Sequence, residues 1–372
     1  TLCFSLHIGH KFIFLKQESP IILCALIVIF VLTLLQNKNH YFQVMAKGLS
    51  ILVLPYVFNF LVYNGISFFN QVFPNEAILF SIMGCILLLV VNIPILKNGF
   101  FRVLSIAIID VSWTFNINNF VNLPESLHFL VYDALIVALE SFVLAFFITK
   151  AWGLKFSWNL KFVKTSNFQL GSWLLLLGLM IWLIFFNTYL NIVDTWPELL
   201  SFWHWNNYEI SYHFTADILA FSATAGIGEE TIRGLEIIAL LYAMRNFKSR
   251  ITSAVIISAI LFSLIHLSGL NTITNGTYYS IDMIAQQLTY ALGFGLIFGV
   301  FYLYTGKLWL GMLIHFLIDL ETTSSDESIT MFTGWPAAII ILVVSVLIFG
   351  WMLTGKRRKF MEDNVDRIIA VD

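Results

Sequence analysis

The sequence predicts an all-α fold, a polytopic transmembrane helical bundle of about 9–11 membrane segments. Three observations predict it. Of the 372 residues, 59% are hydrophobic. Only 11% are charged, against about 25% in soluble domains. The apolar residues also fall into runs near the roughly 20 residues that a helix needs to cross a hydrocarbon core.

Taken in order, clear runs lie at 49–69, 78–96, 128–149, 171–193, 251–268, 281–304 and 336–354. Shorter or charge-bearing runs lie at 20–35, 101–115, 224–244 and 308–320. No internal repeat or low-complexity linker separates them. A formal net charge of −2 argues against a nucleic-acid partner. Cys3, Cys24 and Cys85 are scattered without metal-ligand spacing and read as filler. No small-residue cleavage site follows the first apolar run, so a cleavable signal peptide is not expected.

Lysine and arginine concentrate in cytoplasmic loops and so set the orientation. From Lys38 onward they occupy alternate loops only, among them Lys150 to Lys164, Arg245 to Arg250, Lys307 and the run Lys356, Arg357, Arg358, Lys359. The intervening segments 194–210 and 321–335 contain none. This alternation places the C-terminus in the cytoplasm of a cell-membrane protein; Lys11 and Lys16 alone fit it poorly.

Against that background "GIGEETIRGLE", residues 226–236, holds Glu229, Glu230 and Arg233 within an apolar run. An ionised side chain in mid-membrane costs about 2.5–3.5 kcal/mol on insertion scales. At about 100° per residue, Glu229 and Arg233 share a helical face at i, i+4, the favoured order for an ion pair. Glu230 points a quarter-turn away with no partner in the helix, and Glu236 is a second candidate partner for Arg233. The bland reading is a helix-start cluster behind Gly226 and Gly228, where acids are stabilised.

Two further stretches weigh against it. "LFSLIHLSG" puts His266 at the end of the next segment, with Phe262 one turn earlier as packing. "GMLIHFLIDL" puts His315 and Asp319 at i, i+4, where a carboxylate can orient an imidazole. Helix directions from the charge pattern bring Glu229, His266, His315 and Asp319 to matching depths. Independent packing residues have no reason to agree in this way.

The set holds no serine or cysteine nucleophile, so water must attack. In one version Glu229, His266 and His315 hold a divalent metal such as zinc, with an open position for water. In the other, Glu229 and His266 activate water directly while His315, oriented by Asp319, stabilises the oxyanion. The reaction class is hydrolysis, with a peptide bond the leading case. No HExxH helix is present.

In order, "EETIRG", "FSLIH" and "HFLID" resemble the EExxxR, FxxxH and Hxxx(D/N) motifs of the CAAX-protease and bacteriocin-processing family, also called CPBP or Abi. The resemblance covers about 225–320. It implies an intramembrane endopeptidase in which Glu229 and His266 activate water, Glu230 and Arg233 complete the first motif, and His315 and Asp319 supply the third. The family is described both as metal-dependent and as glutamate-type, which leaves the metal open. Asp319 stands where the prenyl-processing branch has asparagine. An ionised aspartate cannot donate to an oxyanion, so Asp319 is expected to orient His315 or assist a metal. The outward-facing site argues against a prenylated cytoplasmic substrate. The resemblance therefore points to the bacterial branch, with roles in peptide or bacteriocin processing, immunity or cell-surface regulation.

The expected division is 1–200, N-terminal membrane segments of unreadable role; 201–355, the protease core; and 356–372, a basic cytoplasmic tail near anionic lipid. Expected partners are membrane lipid and a peptide or membrane-protein substrate. One rival is a non-catalytic scaffold or immunity protein using the same cavity. Another is an ion-coupled transporter, for which Asp110, Asp133 and Glu140 would be the intramembrane acids.

Overall fold

The computed structural model describes residues 135–154, 162–200, 212–269, 280–324 and 334–369 with few gaps, plus scattered residues within 24–49 and 99–106. The expected segments 49–69 and 78–96 lie outside the described residues, as do Asp110, Asp133 and the expected boundary at 200/201. Residues 122–372 form one compact unit. No strand occurs among the described residues, so the fold is all-α.

The described helices of this unit longer than five residues are α1 (Leu135–Ala151), α2 (Leu170–Ile184), α3 (Phe186–Ile192), α4 (Ala216–Thr224), α5 (Glu230–Ala243), α6 (Arg250–Ile265), α7 (Ile281–Thr305), α8 (Leu308–Ser324), α9 (Trp335–Met352) and α10 (Gly355–Ile368). A π turn, Ala225–Glu229, joins α4 to α5 without a break. Among the described residues, two helices are long and apolar enough to span a bilayer on their own: α7, of 25 residues, and α9, of 18 residues. α9 is apolar all round and leaves Ile339, Val343, Val346 and Leu347 exposed. A helix of that kind belongs in a membrane span or in the core of a large protein.

α7 is the hub, packing on α6, α8, α9 and α10. Its glycines allow the close approach. A Cβ on Gly295 would stand 2.7 Å from the Ala259 Cα of α6, and one on Gly293 3.1 Å from the Leu342 Cα of α9. In a membrane, small residues of this kind supply the packing that the hydrophobic effect cannot. α7 ends at Gly306, whose φ of 64° is the left-handed helix cap that glycine accepts.

The expected basic tail is a structural element. α10 buries Phe360, Met361, Val365 and Ile368. Asn364 Nδ2 donates to the carbonyls of Leu303 at 3.1 Å and Tyr304 at 2.7 Å. These are orphan acceptors at the end of α7, and the amide satisfies them.

Candidate active site

The helix that carries the acidic pair starts thirteen residues before Glu229. Thr215 caps it, its hydroxyl accepting from the Ile218 amide at 3.2 Å. Gly226 and Gly228 therefore lie inside the helix, and the helix-start reading of Glu229 and Glu230 does not hold. The glycines serve approach instead. A Cβ on Gly226 would meet the Met312 carbonyl oxygen at 2.7 Å and the Phe316 nitrogen at 2.8 Å. The π turn thus lies directly on the backbone of α8 that carries His315. The wider turn loosens the backbone ladder, and the Thr231 hydroxyl donates to the Ile227 carbonyl at 2.6 Å. Single π turns of this kind concentrate at functional sites.

Glu229 and Glu230 are neighbours with opposite environments. The side chain of Glu229 is 33% exposed, whereas that of Glu230 is 3% exposed. Arg233 pairs with Glu230 at i, i+3. This corrects the expected pairing of Arg233 with Glu229 and the expectation that Glu230 lacks a partner. Both spacings are one-turn neighbours on a helix; tertiary contacts choose between them. The guanidinium carbon of Arg233 lies 3.7 Å from the Phe262 ring centroid and 5.3 Å from that of Phe298. Facing those rings places it beside Glu230, inside the bundle.

His315 completes the buried pair. Its Nδ1 is 2.7 Å from Glu230 Oε1. A carboxylate only accepts, so Nδ1 carries the hydrogen and donates. Nε2 then faces Glu229 Oε2 at 3.7 Å and Asp319 Oδ2 at 3.9 Å. Both distances are too long for a direct hydrogen bond, and they suit groups that share a third molecule. Asp319 was expected to orient His315. The orienting carboxylate is Glu230, because its oxygen is at bonding distance and fixes the opposite ring nitrogen.

His266 caps the end of α6. Its Nδ1 lies 3.0 Å from the Phe262 carbonyl, an acceptor, so this ring too has Nδ1 engaged and Nε2 left over. Glu229 is within electrostatic range of both His266 and Arg233. His315 is within range of His266 and Arg233, and Asp319 of Glu229. All six residues singled out in the sequence therefore meet in one region.

Sequence reasoning assigned no role to Phe298, whose ring lies 5.4 Å from that of His315. No local pattern marks it. Phe262 was given to packing, yet it stacks on Arg233 and holds His266 through its carbonyl. The Glu236 carboxylate accepts from Ser258 Oγ at 3.0 Å, tying α5 to α6. Glu140 lies on α1, with nothing described of its side chain.

Among the described residues, no three His, Cys, Asp or Glu side chains are grouped closely enough to hold a metal ion. Glu229, His266 and His315, as placed, do not form a ligand set.

Residues 211–320 match the model of the family described as type II CAAX prenyl endopeptidase Rce1-like. Comparison with curated proteins gives no match, nor does comparison with solved structures. The matched stretch runs from just before α4 to within α8 and contains all six candidate residues. With the apolar helices around it, the match makes this chain an integral membrane protein. In the three ordered motifs and in this match, the stretch 211–320 is similar to the Rce1-like family of type II CAAX prenyl endopeptidases.

Proposed function

We propose that the protein is an intramembrane endopeptidase that hydrolyses a peptide bond with water activated by Glu229 and the two histidines. The observation that carries this reading is the state of the imidazoles. Each has Nδ1 bonded to an oxygen acceptor, Glu230 for His315 and the Phe262 carbonyl for His266. Each therefore leaves Nε2 for chemistry beside the open carboxylate of Glu229.

The Nδ1 hydrogen of His315 rests on Glu230 in either charge state, so Nε2 is the atom that gains and loses a proton. Glu229, aided by His266 Nε2, takes a proton from water as the water oxygen attacks the carbonyl carbon. His315, held by Glu230 through Nδ1, presents Nε2 to the reacting carbonyl and stabilises the oxyanion when that nitrogen holds a proton. Its charge is balanced by Glu230, whose own place is fixed by Arg233. The C–N bond then breaks as Glu229 returns the proton to the leaving amine. Asp319 sits beside Nε2, 3.9 Å away.

In this reading the side chains activate water without a metal. Treatment with a strong chelator should leave activity unchanged; loss that zinc restores would favour the metal version. The charge alternation favours a site open to the outer face and a cytoplasmic C-terminus. The substrate is then a peptide or membrane-protein segment reached from outside, as in bacterial peptide or bacteriocin processing, immunity or surface regulation.

The test is made in cells. Glu229→Gln and His266→Ala variants, at wild-type membrane levels, should both lose the peptides that the wild type releases. If both release the same peptides as the wild type, catalysis is not the function, and a scaffold or immunity role takes its place.

A further inference from the structure

One hydrogen bond does not fix an imidazole. The Nδ1 of His315 is held 2.7 Å from Glu230 Oε1, and that bond is a pivot. The torsion that turns a histidine ring about its Cβ–Cγ bond is broad, so covalent geometry restrains it little. A ring that turned would withdraw Nδ1 from Glu230 and swing Nε2 away from Glu229 and Asp319. The plane of the ring must therefore be held by packing.

Phe298 of α7 supplies that packing. Its ring is tilted by 50° to the His315 ring, with the centroids 5.4 Å apart. The same ring lies 5.3 Å from the Arg233 guanidinium carbon, so it stands against both partners of Glu230. Phe298 is 1% exposed and is itself held in place. Phe294, one turn earlier on α7, stacks on it at 5.9 Å and 24°. On α8 a glycine makes the room. A Cβ on Gly311, one turn before His315, would stand 3.5 Å from Glu230 Oε2 and 3.8 Å from Phe298 Cδ1. The slot accepts a methyl group, and a larger side chain would have to displace the ring or the carboxylate. Phe262 stands in the same relation to the other histidine, 5.1 Å from the His266 ring and 3.7 Å from Arg233. The two phenylalanines enclose Arg233, and each abuts one imidazole. Phe262 belongs to the second sequence motif, whereas Phe298 belongs to none.

From this geometry we infer that Phe298 is a positioning residue for the hydrolysis, its ring keeping His315 seated on Glu230 with Nε2 turned toward Glu229. The inference rests on the protease reading and adds to it a residue outside the three motifs. Phe298 also keeps water from the contacts among Glu230, Arg233 and His315, and a hydrogen bond is stronger where water is excluded. A buried ring does not touch the substrate, so its loss acts on turnover and leaves ground-state binding alone. Misplacing a reacting group by about 1 Å can cost about 10²-fold in rate.

The test compares two rings of one helix. The full-length protein in phosphatidylcholine vesicles is given a randomised peptide library, and the member cut fastest serves for kinetics. Phe298→Leu and Phe298→Met both keep an apolar side chain and remove the flat face. Each should lower kcat by about tenfold or more with KM within about twofold. Phe294→Leu removes a ring that is also buried, at 5% exposure, but that stacks on Phe298 rather than on His315. It should lower the melting temperature by as much and keep kcat near the wild-type value. The second readout is the nitrogen-15 spectrum of histidine-labelled protein at about pH 8, above the ordinary imidazole range, with His315 assigned from His315→Gln. The wild type and Phe294→Leu should show His315 with its hydrogen on Nδ1 alone, and the Phe298 variants a mixture of tautomers. Equal falls in kcat at the two positions, a loss confined to KM, or an unchanged His315 spectrum in the Phe298 variants overturns the inference and leaves the protease reading intact. If the wild type cuts no member of the library, or Glu229→Gln cuts as it does, the protease reading falls, and with it the part given to Phe298 in turnover.

Discussion

Two networks of charged side chains hold this bundle, and they differ in their solvent. At the site, Glu230, Arg233 and His315 form a chain of contacts among side chains less than a tenth exposed. On α10, Arg250 meets Asp366 at 2.9 Å and Arg358 meets Glu362 at 3.1 Å, all at a water-accessible surface. The pairs use the same chemical groups at comparable geometry. Breaking the first leaves a charge in a medium that cannot solvate it, whereas breaking the second returns both partners to water. The site network is therefore a structural commitment that also presents chemistry. The α10 network adjusts an attachment that apolar contacts already make.

That contrast can be broken at several points. The largest expected effect is Arg233→Met, which strands Glu230 inside the bundle and should cost about 3–5 kcal/mol in detergent unfolding. The double variant Arg233→Met with Glu230→Gln should be less damaging than Arg233→Met alone. If it is more damaging, the pair is not the unit described here. Next is Glu229→Gln. Its carboxylate is partly open and stands 3.7 Å from His315 Nε2, beyond hydrogen-bond distance, so turnover should fall by about 10²–10⁴ with the unfolding midpoint nearly unchanged. A large fall in stability instead would make Glu229 part of the buried network.

Smaller effects belong to α10. Asn364→Ala removes two hydrogen bonds to the end of α7 and leaves buried carbonyls unpaired, at about 1–3 kcal/mol by chemical denaturation. Asp363 accepts from Thr165 Oγ1 at 2.6 Å and Asn167 Nδ2 at 3.0 Å. These bonds, the Thr165 one foremost, hold its carboxyl below the ordinary value of 3.8. A depressed value means that its stabilisation is complete above about pH 3.8 and fades as pH falls through the lowered value. Wild type and Asp363→Asn should therefore differ in melting temperature at neutral pH and converge in strong acid. A difference that grows toward acid would reverse the assignment. The smallest effect is Arg358→Ala at the exposed pair, within about 0.5 kcal/mol.

The same contrast explains what could be read from the sequence. Long apolar runs report burial in lipid directly, so α7 and α9 were legible to within a residue or two. Three polar motifs at membrane depth identified the helices that build the site. The internal order of the site was not legible, because Glu229 and Glu230 are both one turn from Arg233 and helical periodicity does not rank them. The choice is made by Phe262, Phe298 and His315, which lie on other helices. The start of α4 was hidden for a related reason. Gly226 and Gly228 look like the edge of a helix, and only the approach of α8 to Gly226 shows why glycine is needed inside one. Asn364 carried no signal at all, since its partners are backbone carbonyls sixty residues away.

The central claim is that Glu229 activates water for attack on a peptide bond. The direct measurement is cleavage by the purified, reconstituted protein in water enriched in oxygen-18, with products read by mass spectrometry. The account predicts one heavy oxygen in each new carboxyl terminus with the wild type, and product formation reduced by at least about a hundredfold with Glu229→Gln. Undiminished cleavage by Glu229→Gln would contradict it.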